Sequence, residues 1–462
     1  MKTEYLFVIL LVLIGFSSCE DSTSDATLEL SQSTFENISS DGATLTVNIT
    51  SSDSWTAASS STACNLVPNQ GTSNQSLSIV VEANLDEAER NMTVVVTSGG
   101  IKKTISISQQ GRSTTAGEYH YNLPVIFHVL YKDKNNPLQY VKQDRLAKIL
   151  DTVNKLYKDK TKSVDMNLTF TLATTDEKGN SLPTPGVKYV LWEESYPIDC
   201  DVFMNDETGK YVKYIWEPNN YINVMVYNFK DDESTNSTTL GIAHIPFSTV
   251  GSNYLEGLSK TQKSYLEKQN LKFPYSVSIN SLFINDQSTS TQYSTADITV
   301  TLAHELGHYL GLHHAFSEND EGIYDGCFDS DYCEDTPTYN KVEYDADYAY
   351  TAKNDPANFT FDYLVKRKNC KTNQTFTSTN IMDYSVSYSD RFTNDQRSRI
   401  RHVLTYSPLI PGPKQGQTQT RSVVEGRLIY PYAQPGNKLI EKEVNSYLFT
   451  SFSISFILSN VF

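Results

Sequence analysis

Apolar and polar side chains alternate with a period of two along TLTVNI at 44–49, LSIVVEA at 77–83, MTVVVTS at 92–98 and KTISISQQ at 103–110. Successive strand residues point to opposite faces, so each stretch predicts a strand with one face buried, and the intervening Gly, Asn and Ser supply turns. Residues 27–111 are therefore expected to form an all-β sandwich. RSTTAGE at 112–118 has the composition of a linker. Beyond it the period changes. VKQDRLAKILDTVNKLYKD at 141–159 carries apolar residues at helical spacing. Residues 119–412 are expected to form an α+β domain: a mixed sheet backed by that helix and by another over 295–311, then a looser lower subdomain, with a cleft between. The tail, 413–462, stays unassigned. Its end, YLFTSFSISFILSNVF, alternates Phe452, Ile454 and Phe456 with serines, which predicts a packing strand or a disordered, aggregation-prone tail.

Composition supports two domains with tails: 462 residues, of which 39% are hydrophobic, suffice for ordinary cores. A formal charge of −16 argues against nucleic acid and against electrostatic adhesion to anionic lipid.

Residues 304–314 read HELGHYLGLHH and hold four of the chain's 8 histidines. His304 and His308 lie one helical turn apart, so both imidazoles can reach one zinc ion at about 2.0–2.1 Å. Glu305, one residue off that face, suits a general base beside the metal. A helix continued to His314 would carry it about 9 Å from His308 along the axis. Gly311, free to take a positive φ, can end the helix and return His314 to the metal as third ligand. His313 is the competing candidate for that place. His120, His128, His244 and His402 lack metal spacing and read as structural.

TNIMDY at 379–384 resembles the Met-turn of the metzincins. The resemblance implies that Met382 forms an apolar floor beneath the histidines and that Tyr384 approaches the metal or the developing oxyanion; a buried core tyrosine is the alternative. LPVIFHVLY at 123–131, the 141–159 helix, NLTFTLATTDEKGN at 167–180 and YINVMVYNF at 221–229 follow in an order that resembles the pappalysin family of metzincins, as do CEDTP, NIMDY and FTNDQ further on. It implies a zinc endopeptidase. LGIAHIP at 240–246 is similar to the metzincin edge strand, and implies that Gly241, Ile242 and Ala243 receive a protein or peptide substrate as an added strand. Within the family comparison, Cys333 is expected to pair with Cys370 and Cys200 with Cys327, although sequence ranks none of the three possible pairings. The acidic stretch from Asp325 to Asp335 offers a possible calcium site. Glu334 as a glutamate third ligand is the alternative to His314, disfavoured by Gly311, His314 and Met382.

YLFVILLVLIGF near the start resembles a secretory signal peptide over 1–18, and FSSC at 16–19 is similar to a lipobox whose Cys19 becomes acylated. Residues 19–26 then form a tether. This implies a lipoprotein at the outer membrane and cell surface of a Gram-negative bacterium. SDSW at 52–55, NLDEAER at 84–90 and SQQG at 108–111 resemble the BACON-type immunoglobulin-like domain, which implies an immunoglobulin-like sandwich over 27–111 and for which glycan binding has been inferred. Trp55 is a candidate sugar platform or, more in keeping with such domains, a core residue. The expected function is lipid-anchored, zinc-dependent hydrolysis of extracellular proteins. The competing reading is a catalytically silent adhesion or glycan-binding lipoprotein.

Overall fold

The computed structural model describes residues 26–113, 117–231, 237–289, 292–319, 322–384 and 386–415, together with a backbone strand at 449–455. Cys19 and the hydrophobic run before it lie outside these residues. Among the described residues no helix is long and apolar enough to cross a membrane.

The alternating stretches near the start form two antiparallel layers. One has the order Leu28–Leu30, Ala43–Ser51, Gln75–Val81, Cys64–Val67; the other runs Thr34–Ile38, Ile101–Gln109, Arg90–Ser98, Ser54–Ser59, Gln70–Thr72, where the first pair is parallel. Every second residue turns inward: Val47, Ile49, Leu77, Ile79, Val94, Val96, Ile105 and Ile107 are buried between the layers. Trp55 joins them at 1% exposure, its indole N–H donating to the Ser73 carbonyl at 3.2 Å. It packs the core and presents no exposed face for a sugar.

The second region is built on a sheet with the order Leu168–Leu172, Tyr121–Tyr131, Ile222–Tyr227, Val277–Asn280, Ser237–His244, Phe449–Ser455. The first four strands run parallel, and Ser237–His244 turns antiparallel to its inner neighbour. The short strand Val187–Leu191 pairs with the second half of Tyr121–Tyr131. Parallel strands buried on both faces are apolar throughout, which explains why INVMVY at 222–227 shows no alternation.

Helix Gln143–Lys158 buries Leu146, Ile149, Leu150, Val153 and Tyr157, a stripe at three- and four-residue intervals. The Tyr157 hydroxyl donates to the Ala303 carbonyl at 2.9 Å, which fixes this helix against Ile298–Tyr309. Two further helices, Lys341–Asn354 and Asn394–Tyr406, belong to the lower part.

Two sequence expectations are corrected here. The disulfide joins Cys327 to Cys370, while Cys200, Cys333 and Cys64 are buried and take no part in it. Cys327 and Cys370 lie on loops at the surface with Cα atoms 5.4 Å apart, a separation that suits a bridge, whereas Cys200 belongs to the core beneath the sheet. The outer flank of 240–244, expected to be open, is paired with the chain's own Phe449–Ser455.

Candidate metal centre

Asp297 starts the site by capping helix Ile298–Tyr309, one carboxylate oxygen accepting from the backbone N–H groups of Thr299 and Val300. The helix stops at Gly311, whose φ is +93°; there a Cβ would also lie 2.7 Å from a Val403 methyl. The reversal is held by the Leu312 N–H donating to Gly307 and by Arg399 donating to the Gly311 carbonyl. His314 thereby returns to the helix it has left.

The three ring nitrogens Nε2 of His304, His308 and His314 converge, with His308 2.9 Å from His304 and 3.1 Å from His314. Each Nδ1 is engaged elsewhere: His304 with the Ile381 carbonyl at 2.7 Å, His308 with the Leu312 carbonyl at 2.8 Å, His314 with Glu318 Oε1 at 2.7 Å. Carbonyl and carboxylate oxygens only accept, so Nδ1 carries the proton and Nε2 presents a lone pair. Burial, followed by neighbouring imidazoles, holds His304 and His308 well below the usual histidine range, so both are neutral.

Three lone pairs this close repel one another unless a cation sits among them. Tetrahedral bonds of about 2.0–2.1 Å place ligand nitrogens about 3.3 Å apart, so the triad fits zinc with small adjustment. Among the described residues no other group of three or more His, Cys, Asp or Glu side chains brings its ligand atoms so close. Glu334 is exposed and outside the cluster. His313 points away, toward Gly257 and Tyr332, and burial pushes it down to about 3. The acidic stretch assembles no such group; burial and the charge of Asp329 instead raise Asp331 to about 8.

Glu305 is fully buried and lies directly beside Gly241: a Cβ there would come within 2.6 Å of Glu305 Cγ and 2.7 Å of Oε1. The glycine of the expected edge strand thus makes room for the expected base. Met382 lies under the helix against Gly307, where an added Cβ would stand 2.6 Å from its Sδ. Its turn is tied to the site on both sides, through Ile381 to His304 and by the Ala315 N–H donating to the Met382 carbonyl at 3.0 Å. The Tyr384 ring meets the His314 ring edge-on at 4.3 Å, and burial, then the charges of Glu318 and Glu305, keep its phenol well above the ordinary range.

Sequence reasoning missed several supports. Glu318 orients His314, but four-residue spacing outside a helix carries no signal. Arg367 and Asp383 form a buried ion pair at 3.5 Å; Asp383 also accepts from Tyr339 and Ser378, and Arg367 donates to the carbonyls of Tyr384 and Val386. Asn380 and Gln396 exchange amide hydrogen bonds at 3.1 Å, joining the turn to helix Asn394–Tyr406. Elsewhere, His128 bonds Asn223, His244 contacts Ser276, His120 reaches Asn167 and Thr169, and His402 faces the Asn253 carbonyl.

A helix with two histidines, a returning third and a buried glutamate define a metallopeptidase site. Residues 205–405 match the peptidase M43 family model, described as Pregnancy-associated plasma protein-A, and residues 53–110 match the BACON model, described as a putative N-terminal binding domain. The chain thus carries a pappalysin-like metallopeptidase domain together with a BACON domain.

No curated protein matched the chain. Among solved structures, a Bacteroides ovatus GH5 xyloglucanase in complex with a XXXG heptasaccharide is 15% identical, with 45% of this chain and 57% of that chain covered and a TM-score of 0.18. A protein from Bacteroides thetaiotaomicron is 12% identical over 21% of this chain and 97% of its own, TM-score 0.15. The BIgI domain of beta protein from S. agalactiae bound to CEACAM1 is 16% identical over 19% and 99%, TM-score 0.15. Likeness this low carries no functional argument.

Proposed function

We propose that this chain is a zinc-dependent endopeptidase. The observation that carries the reading is the convergence of three Nε2 atoms, each with its Nδ1 engaged by an acceptor, beside a buried glutamate. His304, His308 and His314 would hold the ion, which when bound supplies Lewis acidity toward the scissile carbonyl and the attacking water.

The remaining work falls to side chains. Glu305 takes the proton of the water as it attacks and delivers it to the departing amine. Tyr384, kept protonated by burial, donates to the oxygen on which negative charge develops. The substrate lies extended and antiparallel along 240–244, with Gly241 letting its backbone run past Glu305.

We further propose that Cys19 is acylated and tethers the enzyme to the outer surface of a Gram-negative outer membrane, so that extracellular proteins are its substrates. The lipobox-like FSSC supports this. Several acyl chains would give lasting attachment at about 0.8 kcal/mol per buried CH₂. In this arrangement the sandwich is a spacer.

The test is cleavage of a quenched peptide library by the full chain and by Glu305→Ala, with zinc content measured on both. Zinc in both and cleavage only by the wild type is expected. Absence of zinc from both would sink the assignment of the three histidines.

A further inference from the structure

The reading of 240–244 as the substrate edge makes its present occupant informative. The strand Phe449–Ser455 runs antiparallel to Ser237–His244 along the flank that faces away from Val277–Asn280. The register sets Phe449 opposite His244, Thr450 opposite Ala243, Ser451 opposite Ile242 and Phe452 opposite Gly241, with an irregularity before Thr239 pairs with Ser453. Gly241 is the residue pressed against Glu305. The same strand passes within 8 Å, Cα to Cα, of helix Ile298–Tyr309, which carries His304, Glu305 and His308.

A peptide cleaved at this site must satisfy the same conditions. It must be extended, run antiparallel to Ser237–His244, and place a residue opposite Gly241 so that a backbone carbonyl comes near Glu305. Residues 449–455 meet the first two by their pairing and the third by their register. They also close the edge, since the outward N–H and C=O groups of Gly241 and Ala243 are the groups a substrate would use.

We propose that residues 449–455 act in cis as a substrate-mimicking strand that holds the cleft closed, and that the enzyme works at full rate once this strand is displaced. The proposal rests on the peptidase reading above. An internal competitor raises the apparent KM and leaves kcat unchanged, because saturating substrate displaces it. At the high effective concentration of a tethered segment, the penalty in kcat/KM is on the order of ten-fold or more.

The experiment uses the full chain with a site for a specific protease inserted between 416 and 448, assayed on quenched peptides before and after cutting, with Glu305→Ala beside it. Hydrogen exchange of residues 237–244 is followed in parallel. A second full-length variant, Thr450→Pro with Phe452→Pro, removes the two backbone donors that face Ala243 and Gly241 without cutting the chain. The expected result is an apparent KM on the order of ten-fold lower in both altered forms, unchanged kcat, faster exchange at Gly241–Ala243, and competitive inhibition restored by a synthetic 449–455 peptide. Equal kinetics in all forms, with Glu305→Ala inactive, would overturn the closing strand and leave the peptidase intact. No cleavage by any form would overturn both.

Discussion

The β-sandwich and the metal-centre domain bury their interiors by opposite strategies. Between the sandwich layers lie Val47, Leu77, Ile79, Val94 and Ile105, and hydrophobic burial alone accounts for their order. Around the metal centre the chain buries His304, Glu305, His308, His314, Arg367 and Asp383, each costly to desolvate unless its polar atoms are engaged. The first interior fails when volume is lost. The second fails when a partner is lost, and the damage is to chemistry before it is to folding.

The largest effect that sharpens this contrast is Glu305→Gln, a change of nearly constant volume. It should lower kcat/KM roughly 10²–10⁴-fold while zinc content and melting temperature stay near wild type, as read by peptide kinetics, metal analysis and calorimetry. Trp55→Ala is the opposite case. It should cost the sandwich about 3–5 kcal/mol, seen as loss of hydrogen-exchange protection in 28–109, with kcat/KM little altered. A comparable loss of activity would show that the two regions are energetically one.

Glu318→Gln comes next. The His314 ring would lose its charged acceptor at 2.7 Å, and zinc affinity should fall roughly 10–100-fold in a chelator competition. Unchanged affinity would mean that the fold alone orients His314.

The smallest effect comes from pH. Burial pushes His128 down to about 3 and His244 down to about 4, and 28–109 contains no histidine. Below pH 6.5 the unfolded chain binds protons that these folded imidazoles refuse. Stability from this source is therefore complete above about 6.5 and is lost as pH falls toward 4. At pH 6 the loss should be about 1 kcal/mol for each of the two. Exchange protection should fall in 121–131 and 237–244 and hold in the sandwich; equal losses in both regions would refute the assignment.

How much of this was legible in the sequence follows from the range of each interaction. The triad could be read because His304, His308, Gly311 and His314 are governed by one helix and one turn. Met382 and Tyr384 came from a resemblance, and the contact of Met382 with Gly307 gives the reason, since only a glycine there admits the sulfur. The sandwich strands were readable because one face of each is wet. The Arg367–Asp383 pair, Glu318 and the Cys327–Cys370 bridge depend on how distant loops approach, and no local pattern encodes that. The alternation ending the chain predicted a strand but could not name its partner, because register with Ser237–His244 is fixed only once both segments meet.

The contact between Gly307 and Met382 also governs how this enzyme ages. Met382 is 0% exposed and packed against Gly307, so its sulfur is shielded from oxidants while the domain is closed. Peroxide can reach Met382 only during a transient opening of the lower subdomain. A molecule oxidised in that interval cannot close again around its histidines. Where oxidation outpaces reclosing, inactivation should therefore follow the clock of local opening.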